Sequence, residues 1–440
     1  MPTRRDFLAS AAVLPFLAEA RAQEAPTKLP PAIAALPNAI TGEVVISKYP
    51  TKLPPAIAAL PNRIHEATPI PLAERQARAD KARRLMLQQD IAAIVITGGT
   101  SLAYFTGARS GQSERLFAWV LPATGAPYIV CPSFEEARMS EALTSIPDGA
   151  QTKIYTWNED EDPYTLLVAH APKGTLGIDE RVQFVFANRI QLADPGRKLV
   201  SAIPVVSGCR QIKSPAELAL MRLANSITLA VYKACYESAG PGTTNREFSG
   251  LVDLAYTQSG VKGDASCQVG EWSALPHGSP RPQTIREGEM VLIDDGCMVE
   301  GYQSDISRSF VYGKPSDKQL RVFEIVHRAQ AAALAAAKPG VPCHAIDDAA
   351  RQVITAAGFG PDYKTFTHRL GHGIGMDGHE WPYLVRGNNQ PLEVGMCFSD
   401  EPGIYLPGEF GIRLEDDWHL TEAGGVLFTG QSPSLEHPFG

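Results

Sequence analysis

Five donor residues in the last third of the chain limit what it can fold into more than anything else in the sequence. They are Asp294 and Asp305 in VLIDDGCMVEGYQSDISRSF, His372 in HRLGHGIGMDGHE, Glu401 in DEPG and Glu415 in IRLEDD. The runs VLID and SDISRSFVY read as strands. Paired as a hairpin turning between Val299 and Glu300, they set Asp294 opposite Asp305, with Cβ atoms roughly 5 Å apart. Glu401 and Glu415 have Gly408 as their midpoint, inside Pro407-Gly408-Glu409, a good odd-length turn. Two hairpins would thus each present a carboxylate pair. Acids on a hairpin usually face solvent, but the flanks Val291, Leu292, Ile293, Ile412 and Leu414 predict partial burial here. Like charges that close cannot both stay ionised in a buried site without a cation. Four carboxylates and one imidazole form a hard set that suits Mn²⁺, with Zn²⁺, Co²⁺ or Fe²⁺ as alternatives, and not a thiolate-type zinc site.

The order Asp, Asp, His, Glu, Glu and the phrases GHGIG, HE, EPG and R-x-E-D resemble the pita-bread metallopeptidase family of creatinase, aminopeptidase P and prolidase. GTSLAYFTG, SERL and EDPY are most similar to its bacterial Xaa-Pro dipeptidases, and the resemblance runs from about residue 68 onward. It implies an α/β N-terminal domain followed by an α+β pita-bread catalytic domain with pseudo-twofold symmetry. It also implies two divalent metal ions on Asp294, Asp305, His372, Glu401 and Glu415, and Xaa-Pro hydrolysis by a metal-bridging hydroxide. His277 in SALPHGSP, His379 and Glu401 then match catalytic positions. His368 and Arg386 match substrate-binding ones, Arg386 through a guanidinium fork suited to a free carboxylate. Arg413, two residues from Glu415 on the same strand face, is expected to orient it. The family implies a homodimer whose N-terminal domain helps cover an active site. Two alternatives stay open: aminopeptidase P activity on longer peptides, and a non-peptidase hydrolase or lyase of the same fold. Asp295 keeps the lyase branch in view, although a regular strand would point it to the opposite face.

The 440 residues allow two domains. Residues 1–22 read as a twin-arginine-type signal peptide, with Arg4-Arg5 ahead of a short apolar region and Ala20-Arg21-Ala22 as a cleavage site. A periplasmic location follows from that reading. Residues 23–66 form a Pro-rich duplicated linker in which TKLPPAIAALPN begins at Thr27 and again at Thr51, expected to be extended or loosely docked. Residues 67–211 alternate helical and strand patterns, with a hairpin around Ala123-Thr124-Gly125-Ala126, and predict a mixed sheet. The catalytic domain, 212–440, opens at Ser214-Pro215-Ala216-Glu217, which has the form of a capping box with proline in the first turn. Pro241-Gly242 and Pro339-Gly340 begin two similar helix-then-strand halves. A net charge of −8 without a basic run excludes nucleic acid as the expected partner. No apolar run is long enough to span a bilayer. The seven cysteines contain no C-x-x-C pair and are expected to be buried hydrophobes.

Overall fold

A computed structural model describes residues 52–108, 111 and 113–440. The expected signal peptide and the first copy of the repeat lie outside the described residues. The second copy does not hang loosely. Pro55 starts a single helical turn, α1 (Pro55–Ala58), as proline at a first helical position favours. Leu53, Ile57 and Leu60 then meet the catalytic core, with Ile57 fully buried. Backbone and side-chain bonds fasten the segment: Gln258 Nε2 donates to the Leu60 carbonyl (3.2 Å) and Arg63 Nη1 to Ser226 Oγ (3.0 Å). Ile57→Ala should therefore cost about 2–5 kcal/mol, read as a lower urea midpoint. A loosely held linker would show no change.

A six-stranded mixed sheet follows, in the order β4-β3-β2-β1-β5-β6. Its strands are β1 (Ala93–Ile96), β2 (Ala118–Pro122), β3 (Tyr128–Pro132), β4 (Lys153–Trp157), β5 (Leu176–Ile178) and β6 (Leu199–Ser201). β1 and β2 are antiparallel, while β1 and β5 are parallel. Alternation along β1 separates two cores. Ile94 and Ile96 pack with α2 (Leu72–Gln88), α3 (Gly99–Thr106), α4 (Glu136–Ala142) and α7 (Ile203–Arg210), through Met86, Phe105, Met139 and Val206 among others. Ala93 and Val95 pack with α5 (Pro163–His170) and α6 (Phe184–Ala193), through Leu167 and Ile190. Both sheet faces are buried, which is why these strands read as unbroken apolar runs.

The rest of the chain is built twice. α8 (Pro215–Ser238) and α9 (Asn245–Ser259) precede six strands: β7 (Lys262–Gly263), β8 (Ser266–Val269), β9 (Met290–Asp294), β10 (Cys297–Val299), β11 (Tyr302–Gln303) and β12 (Arg308–Val311). α10 (Asp317–Ala336) and α11 (Cys343–Ala356) precede seven more. These are β13 (Gly371–Gly373), β14 (Glu380–Leu384), β15 (Cys397–Asp400), β16 (Gly403–Leu406), β17 (Phe410–Arg413), β18 (Asp416–Thr421) and β19 (Gly424–Leu427). Ser214 caps α8 in the expected capping box. The two helix pairs cover separate cores, one sharing Ile227, Phe248 and Ile293, the other Val326, Ile346 and Phe398. All seven cysteines are buried and unbridged. No helix of the described residues is long and apolar enough to cross a membrane.

The first hairpin differs from its expected register. Val299 pairs with Tyr302 and Ile293 with Arg308, so the chain turns at Glu300-Gly301, with φ of 51° and 95°. Two residues of positive φ make the tight hairpin turn that a right-twisted ladder prefers, and Gly301 makes it accessible. Asp294 therefore faces Ser307, not Asp305. The two aspartates are diagonal neighbours on one face, since Asp305 and Ser307 are two apart. The second hairpin keeps its expected register. The β16–β17 and β15–β18 ladders are both symmetric about Gly408, which sets Glu401 against Glu415 at the gap between them.

Candidate metal centre

Strand ends of both halves meet at one cavity of about 550 Å³, lined by Asp294, Asp295, Asp305, His372, Glu401 and Glu415 on its floor side. His277, His368, Arg369, His379 and Arg413 complete the lining with Pro276. Within it, single donor atoms of Asp294, Asp305 and Glu415 all lie within 4.8 Å of one another, as do those of His372, Glu401 and Glu415. A third such group is Asp305, His372 and His379. The five ligand candidates thus fall into two overlapping sets, and Glu415 belongs to both.

The chemistry of these groups fits a cation. Burial, then Asp294, Asp417 and Glu401, push the Asp305 carboxyl well above the usual carboxylate range. Burial, then Asp305 and Glu401, do the same to Glu415. Glu401 is pushed up to about 8, by burial first, against the opposing pull of Arg413. In water none of these would hold a proton at neutral pH. Only a positive charge placed among them would restore their ionised forms. Ser307 makes the same point. Its hydroxyl lies 2.5 Å from Asp294 Oδ1 and 2.7 Å from Glu415 Oε2, while Arg413 Nε donates to it at 2.8 Å. One hydroxyl proton cannot serve two carboxylates. Without a cation one of these two contacts lacks a proton, and burial with Asp305 and Glu401 favours the neutral form of Glu415.

His372 is prepared as a ligand. Its Nδ1 lies 3.2 Å from the Gly373 carbonyl, which fixes the proton there and leaves Nε2 free. Nε2 stands 3.3 Å from Glu401 Oε1 and 3.7 Å from Asp305 Oδ2. Burial, then the neighbouring His379, keeps the ring neutral. Around the donors a shell of bonds holds their angles. Asp417 Oδ2 accepts from the Asp305 N–H (2.9 Å) and Ser399 Oγ donates to Glu401 Oε1 (3.3 Å). Arg413 pairs through Nη2 with Asp294, and its Nε is 3.9 Å from Glu415 Oε2. It thus holds Asp294 directly and reaches Glu415 at longer range and through Ser307.

Three other expectations change or sharpen. Asp295 does not turn away from the site. The strand stops being regular at that point, with φ of 116°, and the residue lines the same cavity. A non-glycine residue there costs on the order of 1–3 kcal/mol, and such strain concentrates at working sites. Arg386 is not among the cavity's lining residues. It is half exposed, 2.8 Å from Asp362 and stacked near Tyr363. Two guanidinium groups do line the cavity: Arg413, already paired with Asp294, and Arg369, whose Nη2 is 3.2 Å from His379 Nδ1 and whose guanidinium lies 4.1 Å from the Tyr383 ring centre. Sequence reasoning missed Arg369, although its place beside His368 was a usable signal. Ser307 was missed too, and its spacing of two from Asp305 was the clue. His368 sits where expected: Tyr405 OH donates to its Nε2 (2.7 Å) and accepts from Arg413 Nη1 (3.0 Å). His277 is exposed at the rim, and the His379 ring lies 3.9 Å from the His372 ring, tilted by 40°.

Comparison with known proteins gives the same picture from outside. Residues 219–422 match the family described as Metallopeptidase family M24, and residues 78–212 match the Creatinase/Prolidase N-terminal domain. The chain is 34% identical over 372 residues to an Xaa-Pro dipeptidase of Lactobacillus helveticus, covering 81% of this chain and 98% of that one. Among solved structures, dipeptidase PepE from Mycobacterium ulcerans superposes with a TM-score of 0.77 at 32% identity, over 84% of this chain and 99% of that one. A prolidase from Thermococcus sibiricus gives 0.73 at 30% identity, over 80% and 96%.

Proposed function

Since the chain belongs to metallopeptidase family M24, and is thereby a metallopeptidase, we propose that it hydrolyses Xaa-Pro dipeptides with two divalent ions held by Asp294, Asp305, His372, Glu401 and Glu415. The observation that carries this reading is the convergence of those five donors, from both halves of the fold, on one cavity. Mn²⁺ suits the donor set best. Ions bound there would supply Lewis acidity towards the scissile carbonyl and acidify the attacking water.

The chain's own residues do the rest. Glu401 takes the proton of the attacking water and passes it to the prolyl nitrogen as that amine leaves. His277 and His379, at the rim, donate to the carbonyl oxygen as it gains charge. His368 is held as a neutral ring by burial, then by Arg413, which together lower its pKa to about 3. Its orientation is fixed by Tyr405. A prolyl amide nitrogen carries no N–H, so a site that reads the other groups of the dipeptide has an advantage over proteases that need that donor.

We assign the free carboxylate of the dipeptide to Arg369 in place of Arg386. A charge-assisted hydrogen bond contributes roughly 1.5–3 kcal/mol. Arg369→Ala should then raise KM about tenfold to a hundredfold more for an Xaa-Pro dipeptide than for its C-terminal amide. Arg386→Ala should change neither. The reverse pattern would return the role to Arg386.

The direct test is a panel of Xaa-Pro and Xaa-Ala dipeptides and Xaa-Pro tripeptides, against apoprotein reloaded with Mn²⁺, Zn²⁺ or Co²⁺. Turnover confined to Xaa-Pro dipeptides supports the proposal. Equal turnover of tripeptides would make the enzyme an aminopeptidase, and no peptide turnover with any metal would remove the reading. A homodimer belongs to the same proposal, tested by light scattering of the purified chain.

A further inference from the structure

His379 is an exposed side chain at the rim of the cavity. Its ring lies 3.9 Å from the His372 ring and its Nδ1 3.2 Å from Arg369 Nη2. For an exposed ring, the course of the backbone at residues 374–380 also decides where it sits.

That backbone is a short connection between β13 and β14, folded round one buried carboxylate. Glu380 Oε1 accepts the N–H groups of Met376 (2.9 Å) and Asp377 (3.1 Å). Gly375 lies over it so closely that a Cβ there would come within 2.8 Å of Glu380 Oε2. Two cations neutralise the carboxylate. Lys213 Nζ is 3.1 Å from Oε2, and Arg210 Nη2 bonds Oε1. Burial opposes the charge on Glu380, but Arg210 and Lys213 outweigh it and bring its pKa to about 2. The same Arg210 nitrogen is 2.7 Å from Asp377 Oδ2, and Thr100 Oγ1 donates to Asp377 Oδ1 at 2.5 Å. Arg210 ends α7 and Thr100 lies in α3, so both belong to the N-terminal α/β part of the chain. The residues they grip stand on either side of His379, two before it and one after.

We propose that Arg210 is a positioning residue for His379: by holding Asp377 and Glu380 at once, the N-terminal part of the chain sets where the His379 imidazole meets the substrate. The proposal rests on the reading of His379 as a group that touches the reacting carbonyl. It gives the N-terminal part a role within its own subunit, distinct from covering a site. The physical reason is leverage. The apolar anchors of the connection, Ile374 and Met376, both lie ahead of Asp377, so loss of Arg210 removes the contact that joins the two neighbours of His379 and lets the ring shift, while the donors on β9, β13 and the Glu401 hairpin keep their own supports.

The test is a double-mutant cycle in the metal-loaded protein, with an Xaa-Pro dipeptide as substrate and bound metal and Tm measured for each variant. Arg210→Gln should lower kcat about tenfold to a hundredfold with KM and metal content little changed, and Arg210→Lys should recover part of the loss. In a His379→Ala background the same Arg210→Gln change should alter kcat less than about twofold, because its effect runs through the missing ring. An equal loss in both backgrounds, or an unaltered kcat in Arg210→Gln alone, would overturn the proposal. If instead His379→Ala by itself keeps full activity, the reading of His379 is what fails. Should Arg210→Gln not fold, Asp377→Asn keeps the Arg210–Glu380 pair and is read by the same cycle.

Discussion

Asp305→Ala will leave the protein folded, empty of metal and slower by about a thousandfold or more. Asp305 belongs to two of the three groups of donors that lie within 4.8 Å of one another, with Asp294 and Glu415 in one and with His372 and His379 in the other. Its removal therefore strips donors from both sides of the site. Metal ions in such sites supply several kcal/mol of transition-state stabilisation, and each 1.36 kcal/mol is about a factor of ten in rate. The fold should not suffer. The Asp305 carboxyl is buried among Asp294, Asp417 and Glu401, so the metal-free protein is relieved of a repulsion when it goes. Apoprotein Asp305→Ala should melt at or above the temperature of wild-type apoprotein, although it binds no metal by elemental analysis. Full turnover by a metal-free Asp305→Ala protein would end the proposed mechanism. A collapse of the metal-free fold would show that this carboxyl supports structure instead.

The second large effect is a difference in pH dependence between metal-free and metal-loaded protein. In the metal-free state Glu401 is pushed from 4.5 up to about 8, and Asp305 and Glu415 move in the same direction. A carboxyl whose pKa is raised on folding binds more protons in the folded state, so its contribution is fully present below the unfolded pKa and is lost as pH rises through the folded one. Metal-free protein should accordingly lose stability relative to metal-loaded protein between about pH 4.5 and 8, by an amount on the order of several kcal/mol, while the neutral His368 and His372 rings contribute equally to both forms. Metal binding displaces those protons and becomes tighter as pH rises. With Mn²⁺ in excess these carboxyls are ionised in the folded and the unfolded chain alike above about pH 4.5, so their contribution should be flat over the same interval, the tighter metal binding offsetting the loss seen without metal. Tm measured at pH 5 and pH 8, with chelator and with Mn²⁺, reads both slopes. Parallel slopes would mean that the carboxylates are not where the cation binds.

Much of this site was legible before any coordinates. The second hairpin announced its register because Pro407-Gly408-Glu409 is a turn with only one sensible centre, and Glu401 and Glu415 are equidistant from it. The first hairpin did not. Val299, Glu300 and Gly301 allow more than one centre, and moving the turn from Val299-Glu300 to Glu300-Gly301 changed the partner of Asp294 from Asp305 to Ser307. Because side chains alternate with a period of two, that shift kept both aspartates on one face. The ligand set therefore survived an error in the pairing. The second copy of the Pro-rich repeat differs from its expectation for another reason. Its composition suggests a linker, but Leu53, Ile57 and Leu60 fall on one face as soon as a single helical turn forms, and a hydrophobic surface was waiting for them on α8 and α9.

What the sequence determined by itself is the chemistry: which residues can hold cations, in what order, on strands that alternation and turn signals locate. Those are local properties, set by side-chain type and by spacing along a few residues. What only the tertiary structure decided is which groups share a cavity and which merely stand near one in sequence. It drew Arg369 in and left Arg386 outside, turned Asp295 towards the site by one residue of positive φ, and tied Asp377 and Glu380, which flank His379, to Arg210 across more than 160 positions of chain. Such long-range meetings depend on how whole helices and sheets pack against one another, and no short window of sequence contains that.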